Sequence, residues 1–502
     1  MAASVDPDRC EWDVIVLGGA AAGENAAQYA TQFSGLDAVL VEAELLGGEC
    51  SYWACMPSKA LLRPAEVLSG ARHVPGVASL LVGRTLDVPA ALARRDTVVD
   101  GLDDTSQVGW ALDTGIDVVR GYGRLAGERR VEVATAGGGT RTLTARHAVV
   151  VDTGSTTAVP PVPGLAEARA WTSRDVTNVH EVPRRVVILG GGVVACESAT
   201  WLRALGVAEL TVVYRGTGLL GRSEPFAGQL VADRLRASGV RLLPDRTVSS
   251  VRRAGPRDTG TGVPHGGELT LQLDDGSTLS ADELVLATGR TPNTGDIGLS
   301  TVGADGGGYL EVDDRQCVRA VPGRWLYAVG DACGRALLTH MGKYQARVAG
   351  EVIAARAAGR EPAGGEDSGL SAAAGHRGNP QVTFTDPEVG SAGMTERQAR
   401  AAGLDVETAE YDMAGLAGTY VMREDYLGRA KLVVDRATDT VVGATFVGSG
   451  VADLVHSATT AVVARVPLSV LWHVVPSYPT AAEVWLRLLE TLRTQRRARP
   501  RQ

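Results

Sequence analysis

The sequence predicts an α/β protein with two Rossmann-like dinucleotide-binding domains and a C-terminal α+β domain. Two glycine-rich turns, each placed between an apolar run and a helical segment, indicate the two dinucleotide-binding folds. After about residue 378 the chain alternates strand and helix patterns and has no such turn. The length of 502 residues is enough for about three domains of ordinary size.

The first glycine turn lies in WDVIVLGGAAAGENAAQ and contains Gly18, Ala20 and Gly23. Glycines at such a turn let backbone N–H groups approach a pyrophosphate at the start of the following helix. Ala20 stands where the fingerprint usually has its middle glycine, so the motif is imperfect. Glu42 ends the next apolar run, 24 residues after Gly18, close to the spacing of a ribose-binding acid. A tight turn without a ligand is the alternative interpretation.

The second glycine turn lies in RRVVILGGGVVACESATW, and its fingerprint residues are Gly190, Gly192 and Ala195. The following strand ends in Tyr214 and Arg215 instead of a carboxylate, and Arg222 is nearby. A cation at this place suits the 2′-phosphate of NADPH, whereas NADH needs an acid for its ribose. We therefore favour NADPH, with NADH possible and a merely solvated Arg215 as the alternative. Two such folds predict two dinucleotides, most simply a tightly held FAD and an exchanging nicotinamide.

Composition and charge exclude several classes of protein. The formal net charge of −8 argues against a nucleic-acid partner. No apolar run reaches about 18 residues, so no transmembrane helix is expected. The N-terminal segment lacks the basic region and cleavage site of a signal peptide, and six cysteines in this length are not a secreted disulfide framework. We expect a cytoplasmic protein that acts on a small molecule.

Cys50 and Cys55 lie in GGECSYWACMPSK with four residues between them. On an ideal helix five residues rise about 7.5 Å, whereas the Cα atoms of a disulfide lie roughly 4.4–6.8 Å apart. A bridge therefore needs distorted backbone, which makes it easier to reduce. We favour a redox-active pair. The alternatives are a metal site, which lacks further ligands at suitable spacing, and a structural staple, which would close a very small loop.

Lys59 lies four residues after Cys55 and is one of three lysines in the chain. The whole stretch follows Glu42 closely, which places it at the carboxyl edge of the first sheet, where ligands bind. A cation beside a thiolate lowers the thiol pKa from about 8.5. Lys59 has a second candidate partner in Glu197, and in that pairing it would polarise the flavin.

The chain resembles the class I pyridine nucleotide-disulfide oxidoreductases, the family of dihydrolipoamide dehydrogenase, glutathione reductase and mercuric reductase. ATGRTPN is similar to that family's second flavin motif, VGDACG to the segment whose aspartate, here Asp331, holds the flavin ribityl chain, and NPQVTFTDPEVGSAGMTERQA to the start of its dimerisation domain. The resemblance implies electron flow from NADPH through FAD to the disulfide. Cys55 would be the charge-transfer thiol next to the flavin, and Cys50 would face the acceptor.

The resemblance also implies a domain order and further cofactor-binding residues. We expect an FAD-binding domain at 1–158, an NAD(P)-binding domain at 159–287, the second part of the FAD-binding domain at 288–358, a linker at 359–378, a dimerisation domain at 379–495 and a basic tail at 496–502. Besides both glycine turns and Lys59, the cofactor-binding set comprises Gly48, Thr153, Gly154, Gly289, Arg290, Gly330 and Asp331.

The C-terminal segment departs from the family pattern. Members that act on dithiols have a histidine before Pro-Thr and a glutamate a few residues later, and the partner subunit of the homodimer supplies this pair as acid and base. Here PSYPTAAEVW has Tyr478 in the histidine position and keeps Glu483. An ordinary tyrosine, with a pKa of about 10, is a poor proton shuttle at neutral pH. His473 is a second candidate or an ordinary helix-end histidine.

Three functions follow from these patterns. The first is an NADPH-oxidising flavoprotein that reduces a small disulfide or a related acceptor through Cys50 and Cys55. The second is a metal-ion or quinone reductase, because mercuric reductase also has tyrosine at the position of Tyr478; that enzyme carries C-terminal cysteines, however, and none occurs here after Cys333. The third is a flavin-binding dimer without catalysis.

Overall fold

The structure of the chain is a computed structural model that describes residues 6, 8–361, 365–366 and 368–498. Its strands are β1 (Glu11–Leu17), β2 (Ala38–Glu42), β3 (Ile116–Arg120), β4 (Tyr122–Leu125), β5 (Arg130–Ala134), β6 (Thr140–Val151), β7 (Ser155–Thr157), β8 (Arg185–Leu189), β9 (Glu209–Val213), β10 (Arg241–Leu243), β11 (Val248–Arg253), β12 (Leu269–Leu273), β13 (Thr278–Ala281), β14 (Glu283–Leu286), β15 (Arg290–Pro292), β16 (Leu326–Ala328), β17 (Gln381–Thr383), β18 (Glu388–Gly393), β19 (Val406–Asp412), β20 (Arg429–Asp435) and β21 (Thr440–Gly448). Its helices are α1 (Ala21–Thr31), α2 (Gly48–Tyr52), α3 (Cys55–Arg72), α4 (Val88–Val98), α5 (Thr105–Asp113), α6 (Ser173–Thr177), α7 (Val193–Ala204), α8 (Pro225–Ala237), α9 (Thr339–Ala357), α10 (Ala373–Gly378), α11 (Glu396–Ala401), α12 (Ala417–Tyr420), α13 (Leu454–Val463), α14 (Leu468–Leu471) and α15 (Val484–Ala498).

Contacts divide the chain into two units. The first comprises the described residues of Met1–Met56, Asp96–Thr157 and Arg290–His376. Its main sheet has the order β3-β2-β1-β6-β5-β4, with β16 paired to β6. Strands β1, β2, β3, β6 and β16 run parallel, and α1 packs against α9. Because strands in the middle of such a sheet are covered on both faces, β1 is an almost continuous buried run, as in a dinucleotide-binding fold.

The second unit comprises Pro57–Arg95, Ala158–Gly289 and the described residues of Arg377–Gln502. A parallel sheet in the order β10-β9-β8-β14 carries the second glycine turn after β8, and an antiparallel sheet β11-β12-β13 follows in the chain. The C-terminal part has an antiparallel sheet in the order β17-β18-β21-β20-β19, against which α13 and α15 pack. The predicted fold class of two Rossmann-like folds and a C-terminal α+β domain is confirmed.

The predicted basic tail and linker differ from the structure. Arg496 belongs to the last turns of α15, and its guanidinium donates to Glu407 Oε1 at 2.8 Å. The prediction that the tail begins at residue 496 is therefore wrong, because this arginine is fixed by a carboxylate of β19; residues 499–502 lie outside the described residues. Helix α10 occupies the end of the predicted linker. The other domain boundaries remain predictions.

Among the helices within the described ranges, none is both long and apolar enough to span a bilayer.

The second unit contains a buried ion pair whose two members depend on each other for stability. Arg253 and Glu283 bond each other, and both side chains are fully buried. Arg253 Nε also donates to the backbone oxygen of Ala168 at 2.7 Å, and Glu283 accepts a backbone hydrogen bond from His265 at 3.1 Å. Removing one member of such a pair leaves a buried charge uncompensated and costs about 3–5 kcal/mol, whereas replacing both members can be nearly neutral.

We expect Arg253→Met to lower the thermal unfolding midpoint clearly, because the carboxylate of Glu283 is left without its counter-ion. The double variant Arg253→Met/Glu283→Leu recovers more than half of that loss. Circular dichroism of the purified protein measures both. The matched control is Arg169→Met, which removes an exposed pair with Asp258 and has little effect. A double variant no more stable than the single variant would contradict this account.

Candidate active site

The first glycine turn, between β1 and α1, brings the chain against Asp152, which follows β6. Gly18 has a φ of +99°, and a Cβ atom on it would lie 2.1 Å from the backbone oxygen of Asp152. A Cβ atom on Gly23 would lie 2.2 Å from the oxygen of Gly18. Neither position has room for a side chain. Glycine at both positions therefore lets the turn pack tightly before α1, which is the role of these glycines at a pyrophosphate site.

Ala20, the substitution in the fingerprint, is accommodated by a second glycine. Ala20 is the N-cap of α1, and a Cβ atom on Gly48 would lie 2.6 Å from the Cβ of Ala20. Gly48 begins α2, so the helix that carries Cys50 approaches the turn only because this residue has no side chain. Glu42 Oε2 accepts a hydrogen bond from the N–H of Gly19 at 2.7 Å. The predicted ribose-binding acid thus lies at the turn.

Buried carboxyl groups line the same turn. Asp152 accepts a hydrogen bond from the N–H of Gly23, yet burial raises its pKa well above the usual value, and the charge of Asp331 adds to the rise. Burial also raises the pKa of Glu24 to about 7, although the charge of Lys343 opposes the rise. A raised pKa favours the neutral form of a carboxyl group, which repels an anionic pyrophosphate less than the charged form does. The acids at this turn are therefore compatible with a dinucleotide.

Asp331, the predicted ribityl-binding residue, lies at the end of a hydrogen-bond chain. Arg290 Nε donates to Ser155 Oγ at 2.7 Å, and Ser155 donates to a carboxyl oxygen of Asp331. Thr153 lies two residues before Ser155. Its Oγ1 atom is buried and has no hydrogen-bond partner in the part of the protein that the structure describes. Leaving a buried hydroxyl without a partner costs free energy, so this atom fits a site that a polar ligand such as FAD completes.

The remaining predicted glycines lie at strand ends. A Cβ atom on Gly330 would lie 2.7 Å from Asp152 Oδ1, which places this residue in the same close approach as the first glycine turn. The backbone oxygen of Gly154 accepts a hydrogen bond from the N–H of Asn293 at 3.0 Å. Gly289 follows β14, where its backbone oxygen also accepts a hydrogen bond. Within the first unit, Gly154 and Gly330, together with the glycine turn, Thr153 and Asp331, are the residues that would hold FAD; a role for Gly289, in the second unit, remains a prediction.

The two cysteines lie in different helices. Cys50 is in α2, and Cys55 is the first residue of the 18-residue helix α3. The helical path breaks at Trp53, whose φ of −134° is not helical, so the pair is not on one regular helix, as disulfide geometry requires. Cys55 Sγ lies 3.2 Å from Thr339 Oγ1 at the start of α9. A hydroxyl donor and a helix N-terminus both stabilise a thiolate.

Lys59 and Glu197 form an ion pair in the second unit. Lys59 Nζ lies 2.8 Å from Glu197 Oε2, and the N–H of Phe384 donates to Glu197 Oε1 at 2.8 Å. The Glu197 side chain is 5 % exposed, whereas that of Lys59 is 36 % exposed. Lys59 Nζ also lies 4.7 Å from the centre of the Phe384 ring. Of the two partners predicted for Lys59, the structure places it on Glu197; its effect on a flavin remains a prediction.

The second glycine turn repeats the geometry of the first. Gly190 has a φ of +131°, and a Cβ atom on it would lie 2.1 Å from the backbone oxygen of Ala287. Gly192 caps α7 and has open space where a side chain would be, and Ala195 is fully buried in that helix. The start of α7 is therefore accessible to a pyrophosphate.

The residues that follow β9 are of two kinds: a buried tyrosine whose ring packs on the glycine turn, and two exposed arginines. Tyr214 is buried, and its ring packs on the turn so closely that a Cβ atom on Gly191 would lie 3.1 Å from it. Arg215 and Arg222 are exposed. The structure therefore assigns Tyr214 to the wall of the turn and leaves the two guanidinium groups in solvent.

The C-terminal segment places Tyr478 and Glu483 in different environments. Tyr478 is 76 % exposed, and Val474 and Val475 beside it are exposed as well. Glu483 is buried, and its Oε2 atom has no hydrogen-bond partner within the described ranges. His473 is exposed. The exposed apolar residues of this segment fit a surface that a second subunit covers.

Sequence reasoning missed Asp152, Thr339 and Phe384. Asp152 had a signal, because it is the first polar residue after the apolar end of β6. Thr339 and Phe384 had none, since they lie 284 and 187 residues from their partners Cys55 and Glu197. Such contacts arise from tertiary structure and not from local pattern.

The sequence is similar to those of two kinds of known flavoprotein oxidoreductase. Dihydrolipoyl dehydrogenase from Pseudomonas aeruginosa is 31 % identical over 445 residues, which cover 88 % of this chain and 89 % of that protein. Mercuric reductase from Streptomyces lividans is 30 % identical over 479 residues, which cover 94 % of each.

Two solved structures share the fold. LpdA from Mycobacterium tuberculosis superimposes with a TM-score of 0.78 at 23 % identity, over 96 % of this chain and 100 % of that chain. The Cu(II) complex of the HOCl-induced flavoprotein disulfide reductase RclA from Escherichia coli has a TM-score of 0.78 at 22 % identity, over 96 % and 99 %.

The family model described as pyridine nucleotide-disulphide oxidoreductase matches residues 12–357, and the model of its dimerisation domain matches residues 379–488. The dimerisation domain supports a homodimer, and the family's cofactors are FAD and NAD(P)H. With the two glycine turns and the cysteine pair in place, the chain belongs to the pyridine nucleotide-disulphide oxidoreductase family.

Proposed function

We propose that the protein is a cytoplasmic, NADPH-dependent disulfide reductase in which Cys50 and Cys55 alternate between disulfide and dithiol. The observation that carries the proposal is the position of the Cys55 thiol. Cys55 is the first residue of the long helix α3, and its Sγ atom lies 3.2 Å from Thr339 Oγ1. A reducing compartment such as the cytoplasm favours a catalytic over a structural role for this pair.

The net reaction balances without a further reactant. NADPH and one proton reduce the Cys50–Cys55 disulfide to two thiols and leave NADP⁺. FAD, which the residues at the first glycine turn would hold, would supply the two-electron redox chemistry between the nicotinamide and the disulfide. Cys50 then attacks the acceptor disulfide as a thiolate, Cys55 resolves the mixed disulfide, and the acceptor leaves as two thiols. Thr339 stabilises the thiolate of Cys55 by hydrogen bonding.

Two exposed cations support NADPH as the reductant. In the described part of the chain, the contacts found include no ion pair of Arg215 or Arg222, although most arginines here bond a carboxylate. Guanidinium groups bind phosphate by charge-assisted hydrogen bonds. The two groups follow β9 at the place where a ribose-binding acid would select NADH, so they favour the 2′-phosphate of NADPH.

Tyr478 restricts the acceptor. In the homodimer that we propose, the partner subunit completes the active site with its own copy of this segment. A tyrosine is a poor acid at neutral pH, so the leaving thiol is not protonated efficiently. Leaving thiols of low pKa depart without such help. We therefore propose an acceptor disulfide whose product thiols are acidic, as in aromatic disulfides, over ordinary alkyl disulfides.

A second candidate is the reduction of metal ions or quinones. The observation that favours it is the exposed tyrosine at position 478, together with the 30 % identity to a mercuric reductase. The chain has no cysteine after Cys333 that could deliver a soft metal ion to the pair, so we place this candidate second.

We expect two new thiols per subunit when the oxidised protein is treated with NADPH under anaerobic conditions, counted by alkylation and mass spectrometry. The variant Cys50→Ser gains no new thiols, but it keeps a long-wavelength absorbance band that arises from Cys55. The variant Cys55→Ser loses that band. Cys10→Ser, at an exposed cysteine far along the chain from the pair, is the matched control and still gains two. A wild-type protein that gains no thiols would exclude the disulfide mechanism and leave the metal-ion, quinone or non-catalytic alternatives.

We expect Tyr478→His to raise kcat on an alkyl disulfide at pH 7 by at least tenfold, because a histidine titrates close to neutral pH and supplies the missing acid. Turnover of an aromatic disulfide changes less than twofold. Steady-state NADPH oxidation measures both. Val475→His, at an equally exposed neighbouring position, serves as control and has no effect. Equal gains on both substrates would refute this role for position 478.

A further inference from the structure

The loop of residues 215–222, which we name the arginine loop, carries both exposed cations between β9 and α8. It contains Gly216, Gly218 and Gly221. Glycine-rich backbone has many conformations in the free state, so a ligand that binds such a loop loses affinity unless other contacts order it beforehand. The contacts that hold the loop therefore influence how well it binds a phosphate.

One anchor of the arginine loop is the glycine turn itself. Leu219 and Leu220 are 3 % and 4 % exposed, so the middle of the loop is fixed by burial. The N–H of Leu220 donates to the backbone oxygen of Gly191 at 2.8 Å. This anchor is part of the dinucleotide-binding fold.

A second anchor comes from the C-terminal part of the same unit. Arg397 Nη2 donates to the backbone oxygen of Gly221 at 2.8 Å, directly before Arg222. The preceding residue, Glu396, donates its N–H at 2.7 Å to Oε1 of Glu224, which lies two residues after the loop. The first turn of α11 therefore contacts the chain on both sides of Arg222.

A buried lysine fixes this arrangement. Lys431 Nζ lies 3.0 Å from Glu224 Oε2 and 2.6 Å from Glu396 Oε2, and the side chains of Lys431 and Glu224 are 7 % and 3 % exposed. A buried cation between two carboxylates holds them in place, because moving either one leaves a charge uncompensated. Helix α11 is thus a rigid support, and Arg397 projects from it to the loop.

We propose that Arg397 is a positioning residue for NADPH: it orders the arginine loop so that Arg222 is held ready for the 2′-phosphate, and the dimerisation domain thereby takes part in selecting the cofactor. This inference rests on the proposed preference for NADPH. Arg397 acts through the backbone oxygen of Gly221 and adds a third positive charge to this region. It is exposed, so its removal leaves the core of the fold intact.

The test compares Arg397→Ala with wild type in two measurements on the FAD-loaded protein. Isothermal titration gives Kd for 2′,5′-ADP, which carries the 2′-phosphate, and for 5′-AMP, which lacks it. Steady-state kinetics give KM and kcat for NADPH and NADH. We expect Kd for 2′,5′-ADP and KM for NADPH to rise about tenfold, with kcat unchanged. Values for 5′-AMP and NADH stay within twofold, and Arg397→Lys, which keeps a donor, recovers part of the loss.

Two control variants separate the possible outcomes. Arg400→Ala removes an exposed arginine of the same helix whose guanidinium donates to Glu396 Oε1, and it leaves both Kd values, both KM values and both kcat values within twofold. Arg222→Ala removes the proposed phosphate ligand itself and weakens 2′,5′-ADP at least as much as Arg397→Ala does.

If wild type binds both nucleotides equally and Arg222→Ala changes nothing, the proposed NADPH preference fails and this inference fails with it. If wild type and Arg222→Ala behave as expected but Arg397→Ala keeps the wild-type ratio, only the role of Arg397 is overturned. Equal weakening of both nucleotides by Arg397→Ala also overturns it, because that is the result of general destabilisation.

Discussion

The close approach of the backbone around Asp152 is the constraint on which the first dinucleotide-binding fold depends. Gly18 and Gly23 belong to the first glycine turn, Gly330 comes from a separate segment after β16, and each would place a Cβ atom 3.0 Å or less from an atom of Asp152. Side chains are therefore excluded from this point, and the ends of β1, β6 and β16 meet there. This packing fixes the tight turn that leads into α1, and the N-terminus of such a helix is where a pyrophosphate binds.

The same crowding connects the cofactor turn to the redox cysteines. Gly48 packs on Ala20 with no room for a side chain, so α2 is held against the turn and carries Cys50 with it. Helix α2 ends before Trp53, which has non-helical backbone, and helix α3 begins at Cys55. A continuous helix would hold the two sulfur atoms on a regular path that disulfide geometry does not allow. The position of the thiols is thus a consequence of backbone packing within the first unit.

Local patterns were sufficient to predict both glycine turns, the fold class and the break in the cysteine segment, because each depends on residues that are close in sequence. The pairing of Lys59 with Glu197 was one of two alternatives, since a pattern cannot choose between partners. The contact of Cys55 with Thr339 and the anchor from Arg397 to Gly221 were beyond sequence reasoning, as they join segments 284 and 176 residues apart. Arg496 was misjudged because an arginine-rich end is typical of a tail, whereas Glu407 binds it.

The two glycine turns have similar backbones but different surroundings, and this difference separates their ligands. At the first turn the neighbouring groups are carboxyls, of which Asp152 is buried and Glu24 has a pKa raised by burial to about 7; such a turn would hold a cofactor mainly through backbone hydrogen bonds and packing. At the second turn the neighbouring groups are exposed arginines, whose attraction to phosphate is screened by salt and water. A ligand held that way exchanges readily. The division of labour between a resident FAD and a passing nicotinamide therefore follows from where each turn places its charges.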